Sequence, residues 1–184
     1  QCRAVLPKLK ITWELDRIEA IMIIIGIDPG TAITGYGVVE KQGSTISYIT
    51  HGVIETPKEM TMPDRYLSIS TQFNRLLDLQ QPDEVATEKL FFSNNVNTAI
   101  AVGGTIGVLL LAAAQRGLPW CEYRPMEVKM AVVGYGAADK KQVQYMVTQL
   151  LQLEKTPCPD DAADALAIAI CHAHSSHLMN FQMR

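Results

Sequence analysis

The sequence predicts a single α/β domain built on a mixed five-stranded sheet, its first three strands antiparallel, with helices flanking it. Three observations predict this. The run Ile23-Ile24-Ile25-Gly26-Ile27 lacks the alternation of a half-exposed strand and reads as a fully buried one. Two more strand-like stretches follow across short Gly-containing links, the pattern of an antiparallel meander. Beyond the meander, helical periodicities alternate with short apolar strands, as they do where helices cover a sheet. At 184 residues the chain has the length of one domain with a substantial core.

The first strand ends on Asp28-Pro29-Gly30, where β-branched residues give way abruptly to turn chemistry. Thr34 to Glu40 forms the second strand, and Gln42-Gly43-Ser44 links it to a third, Thr45 to Ile54. Thr56 to Pro63 is a loop. Tyr66, Ile69, Phe73, Leu76 and Leu77 recur at helical spacing and give an amphipathic helix from about Pro63 to Gln80. Gln81-Pro82-Asp83 ends it, and Glu84 to Glu88 is a short fourth strand that again finishes on a carboxylate. The polar stretch Ser93 to Asn97 leads into a long buried helix, about Asn97 to Arg116, stopped by Gly117 and Pro119. Its Gly103, Gly104 and Gly107 cost roughly 1 kcal/mol each relative to Ala, which close packing on another element would offset. Trp120 to Tyr123 is the fifth strand. Pro125 opens a short helix, Asp139 to Leu151 forms another, and an Ala-rich helix runs from about Asp160 to Ala173.

Residues 1–21 differ in character from the rest of the chain, with scattered charges and no signal-peptide core, and Met22 stands immediately before the first strand. The expected organisation is an N-terminal extension over 1–21, one domain over 22–178 and a short tail over 179–184. A hydrophobic fraction of 48% and a charged fraction of 19% are those of a globular chain, not a disordered or membrane one. The longest apolar run, Ala99 to Ala114, is too short to cross a bilayer. Cys2, Cys121, Cys158 and Cys171 lack the spacing of a metal ribbon or a disulfide framework, which points to reduced thiols and a cytoplasmic protein. The net charge of −3 argues at first against a nucleic-acid partner.

From its own stretch alone, Asp28 reads equally as a turn-starting residue or a functional group. Glu88 also ends an apolar strand, and adjacent strand ends in an α/β sheet form the usual crevice for a site. Asp161 and Asp164 lie three apart in the last helix, on one face, and Ile168 and Cys171 continue that face into apolar residues. Asp160 is explained as a helix N-cap. Asp164 lies too far along the helix for that, and burying lone carboxylates costs several kcal/mol unless they are paired or bind metal. Convergent carboxylates without His or Cys suit hard cations such as Mg²⁺ or Mn²⁺, and two such ions together support phosphodiester hydrolysis.

Five blocks carry a resemblance. They are Ile25-Gly26-Ile27-Asp28-Pro29-Gly30-Thr31 with Thr34-Gly35-Tyr36-Gly37; Thr87-Glu88-Lys89-Leu90-Phe91-Phe92 with Asn95; Pro125-Met126-Glu127-Val128-Lys129; Gly134 to Val143; and Asp161-Ala162-Ala163-Asp164-Ala165-Leu166-Ala167. In this order and spacing they resemble the RuvC family of Holliday-junction resolvases, from about Met22 to His174. The resemblance implies a ribonuclease-H-like fold, a homodimer, and Mg²⁺-dependent symmetric nicking of four-way DNA junctions. It implies that Asp28, Glu88, Asp161 and Asp164 are catalytic metal ligands, Asp28 bridging the two ions. Lys129 and Lys140 match the family's substrate-contacting lysines, and Phe91 matches an aromatic that stacks on a base at the crossover. Lys89 stands where many members carry Gln or Glu, and adds positive charge beside Glu88. A branch-migration motor is a further family-level partner.

The charge objection softens on inspection. Without the four site carboxylates the net charge is +1, and Arg124 to Lys141 holds four basic and two acidic residues. Such a patch holds phosphates and makes binding salt-sensitive; Lys141, taken alone, is equally a solvated surface lysine. Phe91 leaves its strand into Ser93-Asn94-Asn95, where an exposed aromatic stacks on an unpaired base and the polar run, Asn95 included, contacts backbone or caps the next helix. Phe92 reads as core. Of His172, His174 and His177 beside Cys171, no standard zinc spacing emerges, and a helix-end histidine favoured by the dipole is the simpler reading. The Pro29-Gly30 turn is expected to clear space for metal and a DNA phosphate. Two alternatives stand beside this reading: an actin-like or sugar-kinase ATP-binding domain sharing only the first loop, and a non-catalytic junction-binding scaffold.

Overall fold

The computed structural model describes residues 20–89 and 96–182. The elements run β1 (Ile21–Asp28), β2 (Ile33–Gln42), β3 (Thr45–Glu55), α1 (Met62–Gln80), β4 (Glu84–Glu88), α2 (Val96–Ala114), β5 (Trp120–Tyr123), α3 (Pro125–Val133), α4 (Lys140–Leu150) and α5 (Asp160–Gln182). The strands form one sheet in the order β3-β2-β1-β4-β5, antiparallel among β1, β2 and β3 and parallel from β1 through β4 to β5. This is the mixed sheet the sequence predicts. Two boundaries differ. Ile21, expected in the extension, opens β1, and α5 continues nine residues past Ala173, into the stretch expected to be a tail. The remainder of the expected extension, residues 1–19, lies outside the described residues.

Period-two alternation along the strands sorts the core onto two faces. Ile24, Val39, Ala86 and Tyr123 pack with α3, α4 and α5 on one face, while Ile25, Ile27, Val38 and Val85 pack with α1 and α2 on the other. On the first face, β1 and β2 present glycine to α5. A Cβ on Gly26 would lie 2.2 Å from the Ala165 carbonyl oxygen, and one on Gly35 would lie 2.1 Å from that of Asp161. Ala162, Ala165 and Ala169 on α5 are buried against these glycines, so backbone approaches backbone with almost no side chain between. On the second face, Ile69, Phe73 and Leu77 of α1 are buried in ordinary large-residue packing.

Helix α2 is not the wholly buried element expected, because Ile100 and Leu111 are 65% and 59% exposed. Its glycines answer to different causes. Gly104 admits the Tyr66 ring, whose hydroxyl donates to the Ala101 carbonyl at 3.2 Å, whereas a Cβ on Gly107 would meet nothing within 4 Å. Close packing therefore explains Gly104 and not Gly107.

Candidate active site

Asp28 closes β1, and its parity with Ile24 and Gly26 places it on the α5 face. The parallel pairing of Ile27 with Thr87 sets Glu88, the last residue of β4, beside it. The glycine floor does the rest. With Gly35 against the Asp161 carbonyl and Gly26 against Ala165, the first turns of α5 are held down onto the β1–β2 end, and Asp161 and Asp164 come with them. Asp28, Glu88 and Asp164 line one cavity of about 270 Å³ with Lys129 and Lys140, its walls built by Pro125, Val128, Val143, Ala167 and Ile168. Asp161 lies at the edge of an adjoining open groove of about 630 Å³.

The electrostatics are those of crowded like charges. Burial, then the charges of Asp164, Glu88 and Asp161, push the Asp28 carboxyl up to about 7. Burial and the Asp164 charge raise Glu88, with Lys129 acting in opposition. Burial raises Asp164 as well, against the pull of Lys140. Lys140 opens α4 behind the Asp139 cap, and its Nζ lies 2.5 Å from Asp160 Oδ2 and 2.9 Å from Asp164 Oδ2. These contacts, Asp160 first, hold its ammonium firmly charged. Asp160 is thus more than a first-turn acid; it shares Lys140 with the site.

Lys129 and Lys140 against Asp28, Glu88 and Asp164, with Asp161 beside them, leave an excess of acids at a half-buried cavity. An all-oxygen donor set of this kind fits hard divalent cations. No three of the four acids bring their oxygens within 4.8 Å of one another. The expected four acids are brought together, three in one cavity and Asp161 beside it.

The other expected positions distribute unevenly. Lys129 and Lys140 line the cavity. Lys89 lines a second pocket of about 220 Å³ that shares Asp28 and Glu88 and is walled by Pro29, Val102, Ile106 and Pro125. Lys141 is exposed in the first turn of α4 and lines none of these cavities. Phe91 and Asn95 lie outside the described residues. Arg65 was missed: it lines the groove beside Asp161, donating to Thr56 Oγ1 and the Met60 carbonyl, both at 3.3 Å. Only its place in an amphipathic helix marked it, and that signals a solvated face.

At the Pro29-Gly30 turn, a Cβ on Gly30 would sit 2.1 Å from the Ile33 carbonyl oxygen, while Pro29 walls the second pocket and Gly30 lines the groove beside Asp161. The turn needs that glycine, and Thr34 and Thr56 hydroxyls fasten it through the Gly30 and Thr31 carbonyls at 2.6 and 2.7 Å. One expectation is corrected. His172 is not a helix-end histidine. It is fully buried well before the end of α5, with Nδ1 2.7 Å from the Tyr123 hydroxyl and Nε2 in contact with Glu84.

The RuvC crossover junction endodeoxyribonuclease family model matches residues 24–172. The crossover junction endodeoxyribonuclease RuvC of Desulfitobacterium hafniense is 54% identical over 159 residues, covering 86% of this chain and 96% of the relative. That of Thermosipho melanesiensis is 58% identical over 152 residues, covering 83% and 97%. Among solved structures, Thermus thermophilus RuvC in complex with a Holliday junction substrate superposes with a TM-score of 0.82 at 36% identity, covering 86% of this chain and 96% of that one. The yeast mitochondrial Holliday junction resolvase shares the fold at a TM-score of 0.60 and 16% identity, over 86% and 83% of the two chains. The ribonuclease-H-like architecture expected from the sequence is the one these structures share.

Proposed function

We propose, for a chain that belongs to the RuvC family of crossover junction endodeoxyribonucleases and resolves Holliday junctions, that Asp28, Glu88, Asp161 and Asp164 are its catalytic carboxylates. The observation that carries this is that Asp28, Glu88 and Asp164 line one half-buried cavity with Lys129 and Lys140, with the Asp161 charge acting on Asp28 from the groove beside it. An ATP-binding domain of the actin-like kind is not favoured, since the curated relatives are nucleases along nearly their full length.

These acids would hold Mg²⁺, two ions in each site with Mn²⁺ able to substitute, and Asp28, on which the charges of the other three act, would be shared between the two ions. Bound there, the ions lower the pKa of an attacking water and stabilise the departing oxygen of a phosphodiester. The chain's own contribution is placement. The glycine floor under α5 fixes the acids, and the apolar wall of Val128, Val143 and Ile168 limits water around them. Lys129 and Lys140 hold the phosphates flanking the scissile bond, with Lys140 exchanging Asp160 for a phosphate oxygen as DNA enters. Lys89 and Arg65 extend positive charge to either side of the acids, and Lys141 adds attraction from the surface. Phe91 stacks on a base at the crossover and Asn95 contacts backbone there, roles that rest on the family resemblance. The products are 5′-phosphate and 3′-hydroxyl ends.

Paired symmetric nicks call for two sites related by symmetry, and hence for a homodimer. The exposed apolar side chains Ile100 and Leu111 on α2 support an interface there. No described helix is long and apolar enough to cross a membrane. Action in the cytoplasm beside a branch-migration motor completes the proposal.

Asp28→Asn keeps the size of the side chain and removes its charge. The variant is expected to bind a synthetic four-way junction with near-native affinity and to lose at least about a thousandfold in nicking rate in Mg²⁺. Native-rate nicking by this variant would overturn the assignment, and junction binding without cleavage by the native chain would favour a scaffold.

A further inference from the structure

Both β4 and α5 place a carboxylate in the catalytic cavity near one end, and both carry a metal-ligating side chain about 12–13 Å further from it. Glu84 opens β4 four residues before Glu88, about 13 Å away along the strand. His172 lies eight residues after Asp164, about 12 Å along α5. Cys121 of β5 faces the same side of the sheet, with Tyr123. Among the described residues, Glu84, Cys121 and His172 are the one trio of such side chains whose donor atoms all lie within 4.8 Å of one another.

We infer that Glu84, Cys121 and His172 form a second metal site, for a borderline-soft transition ion of the Zn²⁺ type, at the end of the sheet opposite the catalytic acids. The donor set is one nitrogen, one sulfur and one oxygen, which suits Zn²⁺ and not the hard ions of the catalytic cavity. A second observation supports it independently. The Nδ1 of His172 is already held by the Tyr123 hydroxyl at 2.7 Å, which orients the ring and leaves Nε2 as the ligating nitrogen. Outer partners fix metal-bound imidazoles in this way. His172 is fully buried, while Glu84 and Cys121 are partly exposed and open the site to solvent on one side.

On binding, the Cys121 thiol releases its proton to solvent, and His172 coordinates as a neutral ring with its remaining N–H donating to Tyr123. The Glu84 carboxylate moves outward from its direct contact with Nε2, and the ion takes that place. Glutamate and thiolate then balance the dication. Lys41, the cation that interacts with Glu84, is anchored on the Ala173 carbonyl at 2.5 Å and need not move. Water completes a four-coordinate site that braces β4, β5 and α5.

Co²⁺ in excess Mg²⁺ tests this on the full chain. Mg²⁺ occupies the acids, and one equivalent of Co²⁺ should give tetrahedral visible bands and a thiolate-to-cobalt band in the near ultraviolet, both discharged by Zn²⁺. Cys121→Ser should abolish the thiolate band, whereas Cys2→Ser and Cys158→Ser should keep it. Peptide mapping of the native chain supplies a measurement free of any variant: Zn²⁺ should slow alkylation of Cys121 at least about tenfold and leave exposed Cys158 unaffected. Absence of the thiolate band, its persistence in Cys121→Ser, or unchanged Cys121 alkylation would each overturn the site.

Discussion

The two faces of the sheet solve different problems with the same five strands. Toward α1 and α2, the sheet presents Ile25, Ile27, Val38 and Val85 to Phe73, Leu77 and Leu109, a core of large side chains. Toward α5, it presents Gly26 and Gly35 to the Ala165 and Asp161 carbonyls, so that main chain lies against main chain, and Gly37 to Leu166. Every acid lining the cavity with Lys129 and Lys140 belongs to this second face or to the helix seated on it. Large side chains bury more apolar surface, but they also set helix and sheet about 10 Å apart. The glycine seat gives up that area and gains position, bringing Asp161 and Asp164 to within electrostatic reach of Asp28.

The sharpest way to break this contrast is a single methyl group. In Gly35→Ala the new Cβ meets the Asp161 carbonyl, which is main chain and cannot swing aside. Destabilisation of about 5 kcal/mol is expected, together with loss of Mg²⁺-dependent nicking even in molecules that remain folded, because α5 must rise with its acids. Denaturant midpoints and single-turnover cleavage read the two effects separately. An Ala variant of native stability would show that the seat is not needed.

Phe73→Ala makes the converse cut on the other face. Phe73 is fully buried, and its truncation should cost about 3–4 kcal/mol by lost transfer energy and cavity formation. Nicking per folded molecule should stay within about twofold of native, since the α5 seat is untouched. Cleavage falling in step with Gly35→Ala would erase the distinction between the faces.

Much of this was legible in residues. The buried run of β1, the Gly-linked meander and the carboxylates closing β1 and β4 follow from local pattern, and so does the i, i+3 pair on α5. What escaped depends on partners remote in sequence. The function of Gly26 and Gly35 is defined by Ala165 and Asp161, more than a hundred residues on, and no periodicity announces such a match. His172 joins Glu84 and Tyr123, 88 and 49 residues away, and only the assembled sheet turns these three into a network. The end of α5 was misplaced because polar His174, Ser175 and Ser176 look like an exit, although no Gly or Pro stops the helix. Arg65 gave no signal beyond charge on an amphipathic helix. The five family blocks carried the acids and lysines through the resemblance, which geometry then assembled.

The smallest expected effect concerns the metal-free protein, and it has the opposite sign to the others. The Asp28 carboxyl is held at about 7 in the fold, by burial and then by its acidic neighbours, against an ordinary 3.8 in the unfolded chain. The folded state therefore binds the extra proton between these values, and stability falls as pH rises through that window. Below about pH 4 the group is protonated in both states and contributes nothing to the difference. Above about 7 it is ionised in both, and the fold bears the full penalty of a crowded, half-buried charge. Asp28→Asn removes that penalty, so without divalent metal it should be more stable than the native chain by about 2 kcal/mol at pH 8, or about 4–8 °C in Tm. The advantage should shrink steadily as pH drops from 7 toward 4. Saturating Mg²⁺ should reverse it, because only the native chain gains from binding. A Tm difference that ignores both pH and Mg²⁺ would mean that Asp28 carries no such burden, and that the acids on the glycine-seated face are no more crowded than acids on an ordinary surface.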